Sequence, residues 1–191
     1  MSRTSGAVPG EDGKLRCPWA LSTADYVTYH DEEWGRPLSS DDAMFERLTL
    51  EAFQSGLSWL IVMRKRPGFR AAFANFSIPD VAEFDERDVE RLLGDAGIVR
   101  NRLKIEAAIA NARAARDLEG GLLAFVTGYA PATPAPAPKT LTDLQASSEE
   151  SVALAKALKR NGFRFVGPTT LYALMQATGL VNDHLAECWL R

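Results

Sequence analysis

Apolar and polar residues alternate at helical spacing through much of the chain, and the first clear case lies between Ser39 and Gly56. Phe45, Leu48 and Ala52 fall on one face, Ser39 or Ser40 can cap the start, and Asp41 and Asp42 fill the first turn. Gly56-Leu57-Ser58-Trp59 breaks that pattern. A second helix is expected over 59–64, stopped by Pro67-Gly68. Ser77 with Asp80, and Asp85 with Asp88, are capping patterns that open short helices over 81–84 and 89–93. After a turn at 94–97 comes the longest amphipathic segment, 99–118, whose inward stripe is Ile105, Ala108, Ile109 and Ala112. Ser148 or a neighbour caps a further helix over 152–159. No strand pair and no internal repeat stands out, so the expected fold class is all-α.

The stretch from Leu158 to Cys188 has a more specific layout. A helical run ends at Asn161-Gly162, where glycine suits the left-handed position beyond a helix end. Phe163-Arg164-Phe165-Val166 follows as a short apolar turn, closed by Gly167-Pro168, and Pro168 suits the first position of a new helix. Helix, glycine-bounded hairpin, helix is a helix-hairpin-helix module. Such a hairpin aims backbone N–H groups and a helix's positive end at an anion such as a DNA phosphate. Lys159, Arg160 and Arg164 flank it with no acidic residue between them, and Arg64, Lys65, Arg66 and Arg70 form a second basic candidate.

Composition narrows the setting. The chain has 191 residues, 46% hydrophobic and 25% charged, which fits one domain, or one with a lobe, around a sizeable core. A net charge of −3 gives no global attraction to nucleic acid, so any such site has to be a local patch. Residues 1–14 are polar, lack a signal-peptide core and read as a disordered tail; the expected domain is 15–191. The longest apolar run, 57–63, is too short to span a bilayer. Residues 129–139, YAPATPAPAPK, read as an extended Pro/Ala-rich connector. Two distant cysteines do not make a disulfide scaffold, so the expected location is cytoplasmic and the expected state a monomer.

The two cysteines and two histidines pair along the chain, Cys17 with His30 and His184 with Cys188. A Cys₂His₂ set matches tetrahedral zinc with no open position, hence a structural role joining the two ends of the chain. Buried apolar cysteines and unrelated histidines would leave the same sequence trace. Trp19, Tyr26, Tyr29, Trp34 and Trp59 read either as core or as a surface for stacking an extruded base. Glu51 sits near the inward face of its helix, either solvated on the flank or inside and facing a ligand.

Several motifs in order bear a resemblance. CPW at Cys17–Trp19, YHDEEWG at Tyr29–Gly35, LEAFQSGLSW at Leu50–Trp59, DAGIVRNRLKI at Asp95–Ile105, GFRFVG at Gly162–Gly167 and GLVNDH at Gly179–His184 are similar to the DNA-3-methyladenine glycosylase I family. The resemblance implies a helix-hairpin-helix glycosylase of two helical lobes with one structural Zn2+ per chain, held by Cys17, His30, His184 and Cys188. It implies Glu51 as the base-recognition carboxylate and Tyr26, Tyr29 and Trp59 as pocket aromatics, with Trp19 and Trp34 nearby. Leu57, in the Gly56–Leu57 bend, would fill the gap left by the flipped nucleotide, and Gly162, Phe163, Arg164 and Gly167 would dock the DNA. The implied reaction is hydrolytic removal of 3-methyladenine from alkylated double-stranded DNA without a strand-cleaving lyase step. Related hairpin glycosylases carry an aspartate where Asn182 stands here, beside Asp183. Two other classes share these features: a non-catalytic lesion-binding module, and a zinc-dependent hydrolase, which would need an open coordination position.

Overall fold

A computed structural model describes residues 6–191. Nine α-helices carry the described residues: α1 (Ala24–Glu32), α2 (Asp41–Gln54), α3 (Trp59–Ala72), α4 (Ile78–Ala82), α5 (Glu86–Gly94), α6 (Arg102–Arg116), α7 (Leu122–Thr127), α8 (Glu149–Arg160) and α9 (Pro168–Ala177). Two 3₁₀ turns, Pro18–Ser22 and Ala74–Phe76, join them. The all-α expectation holds but for a two-stranded ribbon, β1 (Val8–Pro9) paired antiparallel with β2 (Leu15–Arg16).

α2 is the centre of the molecule, with α3, α6, α7 and α9 packed around it. Every residue from Met44 to Phe53 is buried, so the single inward face of Phe45, Leu48 and Ala52 understates the burial. A helix covered all round ordinarily reads as continuously apolar. Here Glu46, Arg47, Thr49 and Glu51 interrupt the run and are buried all the same.

Local signals place most of the other helices. Ser40 caps α2 by accepting from the Ala43 amide, and Asp85 and Asp88 form a reciprocal capping box on α5. Ser148 with Ser151 does the same on α8. Asn101 caps α6, whose stripe Ile105, Ala108, Ile109 and Ala112 is buried as expected, although the helix begins at Arg102 rather than 99. The helix expected at 81–84 lies one turn earlier, because Pro79 enters the first turn of α4.

Several expectations are corrected. α3 does not stop at Pro67-Gly68 but runs through both to Ala72. Pro67 removes one intrahelical donor. That loss is offset by burial of Val62, Phe69 and Ala72, and by Phe69 packing on Phe53 with ring centroids 4.8 Å apart. α7 had no counterpart in the sequence pattern; Leu122 and Val126 bury it, and Asp41 accepts from the Leu123 amide at 2.7 Å to cap its start. The tail expected to be disordered through residue 14 is structured from Gly6 onward; residues 1–5 lie outside the described residues. Buried Arg16 explains the difference: its guanidinium binds Asp12 and Asp31 and ties the ribbon to α1. The segment carrying His184 and Cys188 is a series of turns after α9. No helix among the described residues is long and apolar enough to cross a membrane.

Candidate functional site

The helix-hairpin-helix layout is present. α8 ends in a Schellman motif: Gly162 has φ +87°, the Phe163 amide donates to Leu158 and the Gly162 amide to Lys159. Phe163 and Val166 bury into the core, so the Phe163 side chain anchors the hairpin and cannot meet a ligand. Arg164 and Phe165 project outward, and Gly167 and Pro168 open α9. Buried Asn111 of α6 clamps the hairpin through both the amide and the carbonyl of Arg164. Lys159, Arg160 and Arg164 are exposed and make no ion pair among the described residues. The second basic candidate is spent elsewhere. Arg64 pairs with Asp25, Arg66 with Glu33 and Glu46, and Arg70 with Glu46, while Lys65 donates to the Ala96 carbonyl.

Cys17, His30, His184 and Cys188 converge from both ends of the chain, all four buried, with their ligand atoms within 4.8 Å of one another. Cys188 Sγ lies 3.5 Å from His30 Nε2 and 3.5 Å from His184 Nδ1. His30 Nδ1 is 2.8 Å from Asp31, itself held by Arg16, which fixes the imidazole with Nε2 toward the cluster. Gly35, at φ +80°, is needed beside it, since a Cβ there would lie 3.1 Å from His184 Nε2. The hydrogen bond from Cys17, then those with His184 and His30, lowers the Cys188 pKa, while pairing with Cys188 and burial raise that of Cys17. These four residues form a buried Cys₂His₂ cluster able to hold a metal ion.

The aromatic residues form a wall between this cluster and α2. Trp19 packs edge-on against Trp34 at 5.0 Å and His30 at 5.3 Å, and Tyr29 tilts against Trp59 at 5.5 Å. Trp19, Tyr26, Tyr29, Trp34, Trp59 and Glu51 all line one open cavity of about 510 Å³. α9 contributes Ala173 and Gln176 to the same cavity. The Tyr26 hydroxyl accepts from the Leu60 amide at 3.1 Å, securing the first turn of α3 and with it Trp59. Leu57 stands at the exposed tip of the Gly56 turn and does not line the cavity; Gln54 holds that turn by donating to the Leu57 carbonyl.

Glu51 is 6% exposed and has no hydrogen-bond partner within the described residues. Burial pushes its pKa up to about 7, opposed by the charge of Arg47, one turn earlier on α2. Burial likewise raises Tyr29 to about 12. Asp183 accepts from the Tyr172 hydroxyl at 2.9 Å and from Gln176 Nε2 at 2.7 Å, so its carboxylate is already engaged. Asn182 accepts from the His184 amide and lies outside the aromatic cavity.

Arg47, Asn111 and Gln176 escape sequence reasoning. Arg47 had one available signal, its i,i+4 spacing to Glu51. Gln176 and Asn111 had none, because their partners Asp183 and Arg164 meet them only in the fold.

A hairpin with free basic flanks, an aromatic cavity floored by a buried carboxylate and a Cys₂His₂ cluster together define a helix-hairpin-helix protein of the DNA-glycosylase class. The model of the methyladenine glycosylase family matches residues 19–191, and the chain belongs to that family. It is 45% identical over 180 residues to DNA-3-methyladenine glycosylase 1 of Escherichia coli (strain K12), covering 91% of this chain and 95% of that protein. A crystal structure of 3-methyladenine DNA glycosylase I superposes with a TM-score of 0.87 at 44% identity, covering 91% of this chain and 98% of the other. The Staphylococcus aureus enzyme, whose structure describes recognition of 3-methyladenine, superposes at 0.86 with 31% identity over 91% and 95% of the two chains.

Proposed function

We propose that this chain flips 3-methyladenine out of alkylated double-stranded DNA and hydrolyses its N-glycosidic bond. The observation that carries this reading is the cavity itself: five aromatic rings and Glu51, from α1, α2, α3 and the turns on either side of α1, around a space of about 510 Å³. A cationic base suits such a site twice over. Stacking on an aromatic ring contributes about 1–3 kcal/mol and a cation over a ring face roughly 0.5–2 kcal/mol. Glu51 then accepts from the base edge, and a base offering it no donor leaves a buried carboxylate unpaired.

The chemistry needs little acid assistance. N3-methylation makes the adenine cationic, so when the C1′–N9 bond breaks the electron pair neutralises the base and free 3-methyladenine departs. Water adds to the C1′ cation and loses a proton, leaving an abasic site. The hairpin, NGFRFVG, contains no lysine to attack C1′ and start strand cleavage. This fits a monofunctional hydrolase. Selection falls mainly to extrusion and the pocket, since a damaged base leaves the stack at lower cost.

In this reading docking rests on Arg164, Lys159 and Arg160 with the hairpin amides, and Leu57, exposed at the tip of its turn, would enter the stack. The cluster metal in this reading is one structural zinc. Tetrahedral zinc with Zn–S near 2.3 Å and Zn–N near 2.05 Å separates sulfur and nitrogen by about 3.6 Å. The two separations at Cys188 are 3.5 Å. Four protein ligands leave no open position, so the ion would hold the fold and take no part in hydrolysis, in a monomeric, cytoplasmic enzyme.

Release of free 3-methyladenine from methylated duplex DNA by purified protein, followed chromatographically, tests the reading. Tight lesion binding without base release would make the chain a non-catalytic recognition module instead.

A further inference from the structure

Behind the aromatic wall lies a row of charges that the base-reading role of Glu51 does not by itself require. Arg70 pairs with Glu46 at 3.0 Å, Glu46 also bonds Arg66, and Arg66 binds both oxygens of Glu33 at 2.6 and 2.7 Å. Glu33 in turn bonds Arg47, whose Nη1 lies 3.9 Å from Glu51. Three cations and three anions alternate from the half-exposed Arg70 to the floor of the cavity, and Glu51 is the last of them.

Arg47 is the unusual member. It is 2% exposed, donates to the Tyr29 hydroxyl at 2.9 Å, and its guanidinium sits 5.4 Å from the Tyr29 ring centre and 5.3 Å from that of Trp59. Guanidinium stays protonated in any protein setting, so a full positive charge is fixed against two rings that line the cavity. Arg66 shares Glu33 with Arg47 through two hydrogen bonds of its own, and the other arm of Arg47, Nη1, faces Glu51. Every neighbouring element is then accounted for. α1 offers the Tyr26 and Tyr29 hydroxyls, α3 the Trp59 indole, and α9 Gln176, whose amide nitrogen is engaged by Asp183. Arg47 is the one cation within ion-pair range of Glu51 among the described residues.

We infer that Arg47 is a positioning residue that acts through Glu51: it is the buried counter-ion that favours the carboxylate form of Glu51 against the burial that opposes it. This rests on the reading of Glu51 as the base acceptor. A lone carboxyl in this enclosed place would take up a proton and become a donor on one oxygen, wrong for an exocyclic amine. Arg47 opposes that while staying behind the rings, and the ion pair is long enough to leave the Glu51 oxygens free for the base. Glu33 sets how strongly Arg47 acts, because it competes for the same guanidinium.

The arrangement makes opposite predictions for two substitutions that never touch the base. Arg47→Gln removes the cation, so Glu51 should titrate about 1–3 pH units higher, and the acid limb of the excision rate should move up with it. Glu33→Gln removes the competing anion, so both midpoints should move down. Arg47→Lys should restore much of the wild-type midpoint. Two readouts are used on the purified full chain: the carboxyl carbon shift of Glu51 by NMR without DNA, and single-turnover excision of 3-methyladenine against pH.

Coincident, opposite shifts in the two variants support the inference. An NMR midpoint unmoved by either substitution overturns it, whatever happens to excision. If Arg47→Gln does not fold, Glu33→Gln decides alone, and an unchanged or raised midpoint there is equally fatal. Failure of the underlying reading looks different, as Glu51→Gln would then excise at the wild-type rate while the NMR shifts still appeared.

Discussion

Asn111 on α6 binds Arg164 through the backbone on both sides, its Nδ2 donating to the carbonyl at 3.0 Å and its Oδ1 accepting from the amide at 2.7 Å. Asn111 itself is 1% exposed, so both bonds are anchored from the buried side of the hairpin. This is what holds the tip of the hairpin to the helical body. Asn111→Ala should lower unfolding stability by about 1–3 kcal/mol, since the amide and the carbonyl of Arg164 both lose their partner. It should also weaken binding to damaged and undamaged duplex in the same proportion. Urea unfolding and fluorescence anisotropy check both, and unaltered DNA affinity would separate the hairpin from docking.

Arg164 carries the charge at that tip and has no carboxylate partner among the described residues. Arg164→Glu should reduce affinity for any duplex and flatten the dependence of log K on log salt by about one unit. Arg66→Gln, by contrast, should leave the slope alone, because its guanidinium is committed to Glu33 and Glu46. An equal change in both variants would move the docking surface to α3.

For the Cys₂His₂ cluster the expected content is about one zinc per chain, measured by elemental analysis. Chelation or Cys17→Ser should lower Tm by on the order of 10 °C. The fall follows from losing the link between the amino-terminal ribbon and the carboxyl-terminal turns, which Cys17 and Cys188 otherwise share. Metal-free protein with an unchanged melting curve contradicts the assignment.

Legibility in the sequence followed the range of the interactions. The capping box of Asp85 and Asp88, the stripe at Ile105 to Ala112 and the stop at Gly162 depend on residues a few positions apart, and they were readable. The four cluster residues were readable because the chain has so few cysteines and histidines to assign. In the fold a series of turns, not a helix, brings His184 and Cys188 together. The same limit hid the total burial of α2. Glu46 and Arg47 look like surface residues until Arg66 and Glu33, from other parts of the chain, arrive to pair with them. Continuation of α3 through Pro67 was unreadable for a related reason, because the phenylalanine cluster that sustains it involves Phe53 from α2.

Asn182→Asp introduces the carboxylate that related hairpin glycosylases carry, and it should not extend excision to neutral alkylated bases. The side chain lies outside the aromatic cavity, accepting from the His184 amide at 3.2 Å, and Asp183 beside it is already bonded to Tyr172 and Gln176. A second carboxylate there meets like-charge repulsion rather than a base. Single-turnover assays on 3-methyladenine and on a neutral lesion decide it, and new activity on the neutral lesion would overturn the view that the pocket sets the range.

Glu51 should cost the protein stability where it serves function. Its folded pKa of about 7 exceeds the ordinary 4.5, so between those values the folded state binds more protons than the unfolded one. Stability therefore falls as pH rises through that window, and the loss is complete above the folded value. A gap of about 2.5 pH units at 1.36 kcal/mol each puts the full effect at roughly 3 kcal/mol. Glu51→Gln cannot ionise, so its stability relative to the native protein should climb from pH 5 to pH 8 by an amount of that order. Excision of 3-methyladenine should meanwhile drop about ten- to a hundredfold, the loss of one hydrogen bond to a charged group, with non-specific DNA affinity intact. Urea unfolding at the two pH values reads the first effect and single-turnover excision the second. Parallel pH dependence in variant and native protein would mean that burial does not raise the Glu51 pKa, and the stability cost assigned to it would be absent.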